Sequence, residues 1–448
     1  MASEARPPSK ALRKYLEGYA EPEARLASLL VERGLTYAAL ITIPAYGECE
    51  SLLDTLGTIP PCRRGRVLVV VVVNESENSP DWAKNANRVV LGALRSEKNW
   101  QVGPSLELSD AGTFFSGTHS DLVLIDRTQS ARCLPAKQGV GLARKIGADL
   151  ATALFAAGVL QSPWIHCTDA DVSLPVDYFD RTEAASQPPF PAALVYDFTH
   201  TRQGADGLGN AIDQYETFLR YLVLGLRYAG SPYAFHTIGS TIVLHADAYA
   251  AVRGFPKRVA AEDFHLLAKL AKVGAIIPLR GEAILLSSRE SERVPFGTGR
   301  AMMQSRGREE DLRVYDPRCF HWLATWISAL AKSARQPEQS VDHHLEVAAI
   351  HTGIELDRLR AILDRLGALE ASRKILSRKG GYARSLNENF DALATLKFIH
   401  AVRDDIFPDI PIRSALAQAS FIDVDVADPK HPFAQICLEL KTAEHTFD

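Results

Sequence analysis

The sequence predicts an α/β protein, with a mostly parallel sheet flanked by helices and an all-helical C-terminal domain. Three observations carry this. Strand-like and helix-like segments alternate from Tyr37 to Leu286, the pattern of a doubly wound sheet. Val67–Val73, VLVVVVV, is apolar at both parities, as in a central strand covered on both faces. From about residue 308 the period becomes helical throughout.

In chain order, residues 1–36 read as a helical leader, with Leu12, Tyr15, Leu16 and Tyr19 at helical spacing. Tyr37–Pro44 reads as a buried strand, Glu50–Leu56 as a helix start and Val67–Val73 as the second strand. Residues 91–120 are rich in Gly and Ser and read as an irregular insertion. Leu122–Ile125 is a third strand. Gly139–Phe155 is a helix with one apolar stripe through Ala143, Gly147 and Leu150. Trp164–Thr168, Ala192–Tyr196, Thr241–Leu244 and Ala283–Leu286 are further strands, and Asp213–Tyr228 and Phe264–Val273 further helices. Phe320–Ala334, Val341–Leu366 and Asn387–Val402 are helical with no strand among them. The expected domains are a leader (1–36), an α/β domain (37–305) and a helical domain (306–448).

The 448 residues carry a formal charge of −4 and 46% hydrophobic residues, which argues against a dedicated nucleic-acid binder. The six cysteines form no CxxC pair and are too sparse for a disulfide framework, so reduced thiols in a cytoplasmic protein are expected. No signal peptide is legible at the N-terminus, and no apolar run approaches the ~18 residues of a membrane span.

The strongest local motif is Asp169-Ala170-Asp171, directly after the strand Trp164–Thr168. Residues i and i+2 of an extended segment point the same way, so both carboxylates leave one side of the strand's carboxyl end. Ligands of open α/β sheets bind at that end. Two adjacent carboxylates suit Mg²⁺ or Mn²⁺ bridged to a substrate phosphate. A solvated turn is the plainer reading of the motif taken alone.

Three other segments accompany it: Ile43-Pro44-Ala45-Tyr46-Gly47-Glu48 ends the first strand, Gly139-Val140-Gly141-Leu142-Ala143-Arg144 opens a helix, and Gly254-Phe255-Pro256 precedes Ala261-Glu262-Asp263-Phe264. In this order, over about residues 38–300, the chain resembles the family 2 glycosyltransferases with their GT-A, Rossmann-like fold. It departs in two places. Asn74-Glu75-Ser76-Glu77 stands where the family often has two aspartates, which bears on recognition of the base, and the turn before Glu262 has the single glycine Gly254. The gate motif of processive synthases has no match, which implies one transfer per acceptor.

The resemblance implies roles position by position. Asp171 would hold the metal, and Asp169 would contact the ribose or a metal-bound water. Pro44, Tyr46, Glu48 and Glu75 would surround the nucleoside. Asp263, with Glu262 beside it, would be the base of an inverting transfer, although carboxylates also suit a helix start. Lys137 and Arg144 flank the start of the 139–155 helix, where backbone N–H groups favour an anion, and Arg144 also reads as solvent-facing. Arg293 and Arg300, in a loop with Gly297 and Gly299, would close over a diphosphate or stand as a solvated face. His236 is the candidate on the acceptor side.

The function so implied is transfer of a sugar from a nucleotide-diphosphate sugar to an acceptor hydroxyl, dependent on Mg²⁺ or Mn²⁺. The partners are that donor and acceptor, and the C-terminal helices are a candidate homo-oligomer contact. A sugar-phosphate nucleotidyltransferase is the alternative enzyme, but it usually opens with a Gly-rich loop carrying Arg and Lys where this chain has Pro44–Glu48. A non-catalytic binding module is the other alternative; Asp169, Asp171 and Asp263 speak against it.

Overall fold

A computed structural model describes residues 8–48, 50–96, 106–109, 112–185, 188–202, 208–288, 312–378, 380–424 and 431–446. The chain divides into two compact units, one built mainly from Met1–Thr201 and Thr237–Ser287, the other from Arg202–His236 and Phe296–Asp448. The division expected at residue 306 therefore misplaces Arg202–His236. The helix α6 (Leu208–Tyr228) gives Tyr221 and Leu224 to the same buried core as Phe320, Trp326 and Leu440.

The first unit holds a mixed sheet. Its strands are β1 (Ala39–Ala45), β2 (Val67–Asn74), β3 (Leu106–Ser109), β4 (Gly112–Phe115), β5 (Ser120–Arg127), β6 (Trp164–Cys167), β7 (Val172–Ser173), β8 (Ala193–His200), β9 (Ile242–His245) and β10 (Ile276–Leu286). Their spatial order is β3-β4-β5-β2-β1-β6-β9-β8-β10-β7. The centre, β5-β2-β1-β6, is parallel, with Leu40 beside both Leu68 and Ile165. Only β4, β7 and β9 run against the other strands. Every residue of β1 and β2 is buried, as the unbroken valine run requires. The chain passes from β1 outward through β2 to β5, then crosses to β6 on the other side of β1. The topological switch point thus lies between the carboxyl ends of β1 and β6.

Several expectations are corrected. The supposed insertion at 91–120 includes the end of helix α4 (Asp81–Arg95) and the antiparallel strands β3 and β4, which extend the sheet edge. Ala83, Asn87, Val90, Leu91 and Leu94 form the buried face of α4, a helical spacing hidden among polar neighbours. Strand β10 begins at Ile276, well before Ala283. A register shift between Leu279 and Ile284, with Gly281 at φ +137°, interrupts its pattern.

The leader is built into the first unit. Helices α1 (Lys10–Gly18) and α2 (Leu26–Val31), joined by a 3₁₀ turn, cover α5 (Gly139–Ala156), whose other side rests on the sheet. An added Cβ at Gly147 would come within 2.5 Å of Thr42 Oγ1, so the glycine lets α5 approach β1. Helix α5 is therefore buried on nearly all sides rather than along one stripe. Its fully buried Asp149 accepts hydrogen bonds from Tyr15 Oη (2.5 Å), Tyr249 Oη (2.8 Å), Glu21 N (2.7 Å) and Lys145 Nζ (2.9 Å). Tyr15→Phe removes one donor to a charged acceptor and is expected to cost about 1.5–3 kcal/mol. A fall in the urea midpoint at unchanged slope, with faster proteolysis before residue 32, checks this.

The second unit is helical. Pro317–Arg335 is as expected, but two longer segments are broken. Val341–Thr352 and Leu356–Arg365 are separated at Gly353, which takes φ +70°, and Tyr382–Asn389 ends before Asp391 caps Ala392–Asp405. Against the expectation of no strand, Arg313–Val314 pairs with Ile410–Pro411. Among the described residues no helix is long and apolar enough to cross a membrane.

Candidate active site

At the end of β1, Gly47 turns the chain at φ +62°, and its N–H donates to Asn87 Oδ1 at 2.8 Å. Asn87 also donates to Asn74 O (2.9 Å) and Glu75 Oε1 (3.2 Å), tying the ends of β1 and β2 to α4. The amide at position 74, where the resemblance expects an acid, has a structural use. Asn74 is 4% exposed and donates to Ala45 O (2.9 Å) and Val72 O (3.3 Å), which pins the two strand ends together. Pro44, Glu48 and Glu75 are buried and Tyr46 half-buried around this corner, with Ser51 Oγ donating to Glu48 Oε2 at 2.6 Å.

Across the switch point, β6 runs into Thr168-Asp169-Ala170-Asp171. Thr168 N donates to Thr42 O of β1 at 3.1 Å, and Thr168 Oγ1 to Ser240 O at 3.0 Å. Beyond the turn, Thr55 of α3 (Glu50–Gly57) bonds both the carbonyl (2.8 Å) and the amide (3.0 Å) of Val172. The turn is therefore anchored on both sides, with Asp169 and Asp171 half-buried in it.

Arg144 joins the two acidic motifs. Nearly buried on α5, it donates through Nη2 to Asp169 Oδ1 (2.5 Å), through Nε to Glu262 Oε1 (2.9 Å) and through Nη1 to Thr168 O (3.3 Å). Burial opposes its charge, but Asp169 and Glu262 more than compensate and hold the guanidinium charged. Gly239 makes room for it, and Gly141 lets the turn before Glu262 approach α5. A Cβ at Gly239 would lie 2.4 Å from Arg144 Nη2, and one at Gly141 would lie 2.4 Å from Pro256 O of the turn before Glu262. The solvent-facing reading of Arg144 is thus replaced by a buried bridge.

Helix α8 (Glu262–Leu270) starts from Ala261 at φ +58°, a left-handed conformation that costs a non-glycine residue about 1–3 kcal/mol and clusters at functional sites. Its buried apolar residues are Leu266, Leu267, Ala268 and Leu270. Asp263 Oδ1 accepts from Phe264 N at 2.7 Å. Burial, and then the adjacent Glu262, push the Asp263 carboxyl up to about 7, so it exchanges a proton near neutrality.

Lys137 is exposed in the turn before α5. His236 belongs to the second unit, where its Nε2 pairs with Glu444 Oε1 at 2.9 Å. Glu444 in turn pairs with the buried Arg220, which also binds Glu216 at 2.7 Å. Arg293 and Arg300 lie outside the described residues. Among the described residues no group of three or more His, Cys, Asp or Glu is assembled for a metal. Asp169 and Asp171 still fit a hard divalent ion, because both are oxygen donors on one half-buried turn.

The bridging role of Arg144 is not legible in the sequence, nor is the tie that Asn87 makes from α4. The available signals were Gly141 three residues before Arg144 and an asparagine inside an apolar helical spacing.

No family model and no curated protein matches the sequence. Among solved structures, the chain is similar to S. aureus TarS 1–349 in complex with UDP-GlcNAc, at 12% identity and a TM-score of 0.36, over 82% of this chain and 91% of that one. It is also similar to the mannosyltransferase PcManGT from Pyrobaculum calidifontis in complex with GDP-Man and Mn²⁺. There the identity is 14% and the TM-score 0.35, over 98% of this chain and 96% of that one.

Proposed function

We propose that the chain is a metal-dependent glycosyltransferase that moves a sugar from a nucleotide-diphosphate sugar to an acceptor hydroxyl, with inversion and without processivity. The observation that carries this reading is the meeting of Asp169 and Glu262 on one buried arginine, beside the switch point of the sheet. Nucleotides bind doubly wound sheets at such a point.

Asp169 and Asp171 would hold Mg²⁺ or Mn²⁺, which when bound neutralises charge on the diphosphate. The corner at Tyr46, Glu48 and Glu75 takes the nucleoside. Asp263 accepts the proton of the acceptor hydroxyl as its oxygen attacks the anomeric carbon and the bond to the diphosphate oxygen breaks. A carboxyl titrating near 7 is ionised often enough to act as base and basic enough to take the proton. Arg144 fixes the Glu262 carboxylate beside that base through its Nε donor.

The test is Asp171→Ala. Divalent-dependent binding of UDP- or GDP-sugars is expected to disappear in calorimetric titration while the melting temperature stays near that of wild type. Donor binding by Asp171→Ala equal to wild type with Mn²⁺ present would exclude Asp171 as the metal ligand.

A further inference from the structure

Among the described residues, Arg253 (φ +65°) and Ala261 (φ +58°) are the non-glycine residues in the left-handed region, and they stand at the two ends of one turn. That turn runs from the short helix α7 (Ala246–Ala251) to α8, which carries Asp263. Residues with side chains keep such a backbone only where their surroundings dictate it. On one side α5 supplies this, since Gly141 N donates to Arg258 O at 2.9 Å.

On the other side the leader supplies it. The Arg253 guanidinium lies over the Tyr19 ring, 4.8 Å from its centroid. Lys257 Nζ pairs with Glu21 Oε1 at 2.6 Å. Between them Gly254, at φ +71°, has no room for a side chain, because a Cβ there would collide with the hydroxyls of Tyr15 and Tyr249. Residues 15–21 thus meet residues 253–257 at three places. The two charged contacts add little to global stability. The Lys257 side chain is 41% exposed and Tyr19 is 37% exposed, and ion pairs and cation–π contacts at such sites are weak. The docking of α1 is already secured by the buried Leu12 and Tyr15.

We propose that Tyr19 and Glu21 are positioning residues for the transfer reaction: by gripping Arg253 and Lys257 they hold the 253–261 turn in its left-handed form and so set the place of Asp263. The inference rests on the assignment of Asp263 as base. It gives the leader a part in turnover that its distance in sequence conceals.

The experiment compares wild type with the double variant Tyr19→Ala, Glu21→Gln, with Tyr19→Phe, and with the exchanged pair Glu21→Lys, Lys257→Glu. Turnover is read as UDP or GDP released with Mn²⁺ from a panel of UDP- and GDP-hexoses, water serving as acceptor. Donor affinity is read by calorimetry. Misplacement of a reacting group by a remote change costs up to about 10²-fold, so the double variant is expected to lose about 10- to 100-fold in kcat while donor Kd stays within about twofold of wild type. Hydrogen exchange across residues 253–263 should quicken in the same variant, with the melting temperature lowered by a few degrees at most. Tyr19→Phe keeps the ring face and the exchanged pair keeps the ion pair, so both should turn over like wild type. Unchanged kcat or unchanged exchange in the double variant overturns the positioning role alone, as does a loss of turnover matched by a collapse in melting temperature. A wild-type protein that neither binds UDP or GDP nor releases them overturns the glycosyltransferase reading, and this inference with it.

Discussion

Replacing Arg144 by methionine lowers the stability of the first unit by about 3–5 kcal/mol, the cost of stripping a partner from a buried ion pair. The guanidinium is 4% exposed and Glu262 6%, so no water replaces the donor lost to Glu262, whereas Asp169, 36% exposed, is partly solvated. Arg144→Lys restores the charge but not the planar fork that reaches Asp169, Glu262 and Thr168 together, and should recover only part of the loss. Arg144→Met combined with Glu262→Gln should cost less than the sum of the single changes, because the second removes the charge that the first strands. Urea unfolding of the single and double variants measures this. An unchanged midpoint in Arg144→Met would refute the bridge.

The second large effect belongs to Asp263. Asp263→Asn keeps the shape and removes the base, so kcat is expected to fall by roughly 10²-fold or more while donor affinity is unchanged. Glu262→Gln should cost less in turnover. Because burial and Glu262 raise the Asp263 carboxyl to about 7, wild-type kcat/KM should decline below that pH, and the decline should be absent from the residual activity of Asp263→Asn. The same shift has a stability consequence of opposite sense. A carboxyl raised in the folded state favours folding while protonated, so its contribution is complete below about pH 4 and is lost as pH rises through about 7. Asp263→Asn should therefore be more stable than wild type at pH 8, with the difference closing toward pH 5. A product that keeps the donor's anomeric configuration would exclude the inverting mechanism.

Much of the central sheet was legible because its signals are local. The all-valine β2, the strand ending in Pro44 and the strand before Asp169 are each declared by a few adjacent residues. Asp169 and Asp171 follow from the end of the strand Trp164–Thr168, and Pro44, Tyr46, Glu48 and Glu75 from the family resemblance. What escaped were features set by long-range burial. Arg144 and Asp149 look like polar positions of an amphipathic helix; the segments carrying Asp169 and Glu262 enclose the first, and the docking of residues 8–31 on α5 encloses the second. Helix α4 was obscured because its buried face includes Asn87, whose use depends on strand ends far away in sequence. The extent of α6 was close to expectation, but its membership of the second unit depends on contacts with Phe320 and beyond, which no local pattern encodes.

In the proposed function a nucleoside diphosphate and a divalent ion bind together between β1 and β6. The most direct measurement is thermal unfolding of the wild-type protein with UDP, GDP, ADP and CDP in turn, each with Mn²⁺ and with EDTA. At 100 times its Kd, a diphosphate that binds only the folded protein adds about 2.7 kcal/mol, a readily measured rise in melting temperature. The expected result is such a rise for at least one diphosphate with Mn²⁺, absent with EDTA. Melting curves unmoved by every diphosphate in the presence of Mn²⁺ would contradict it.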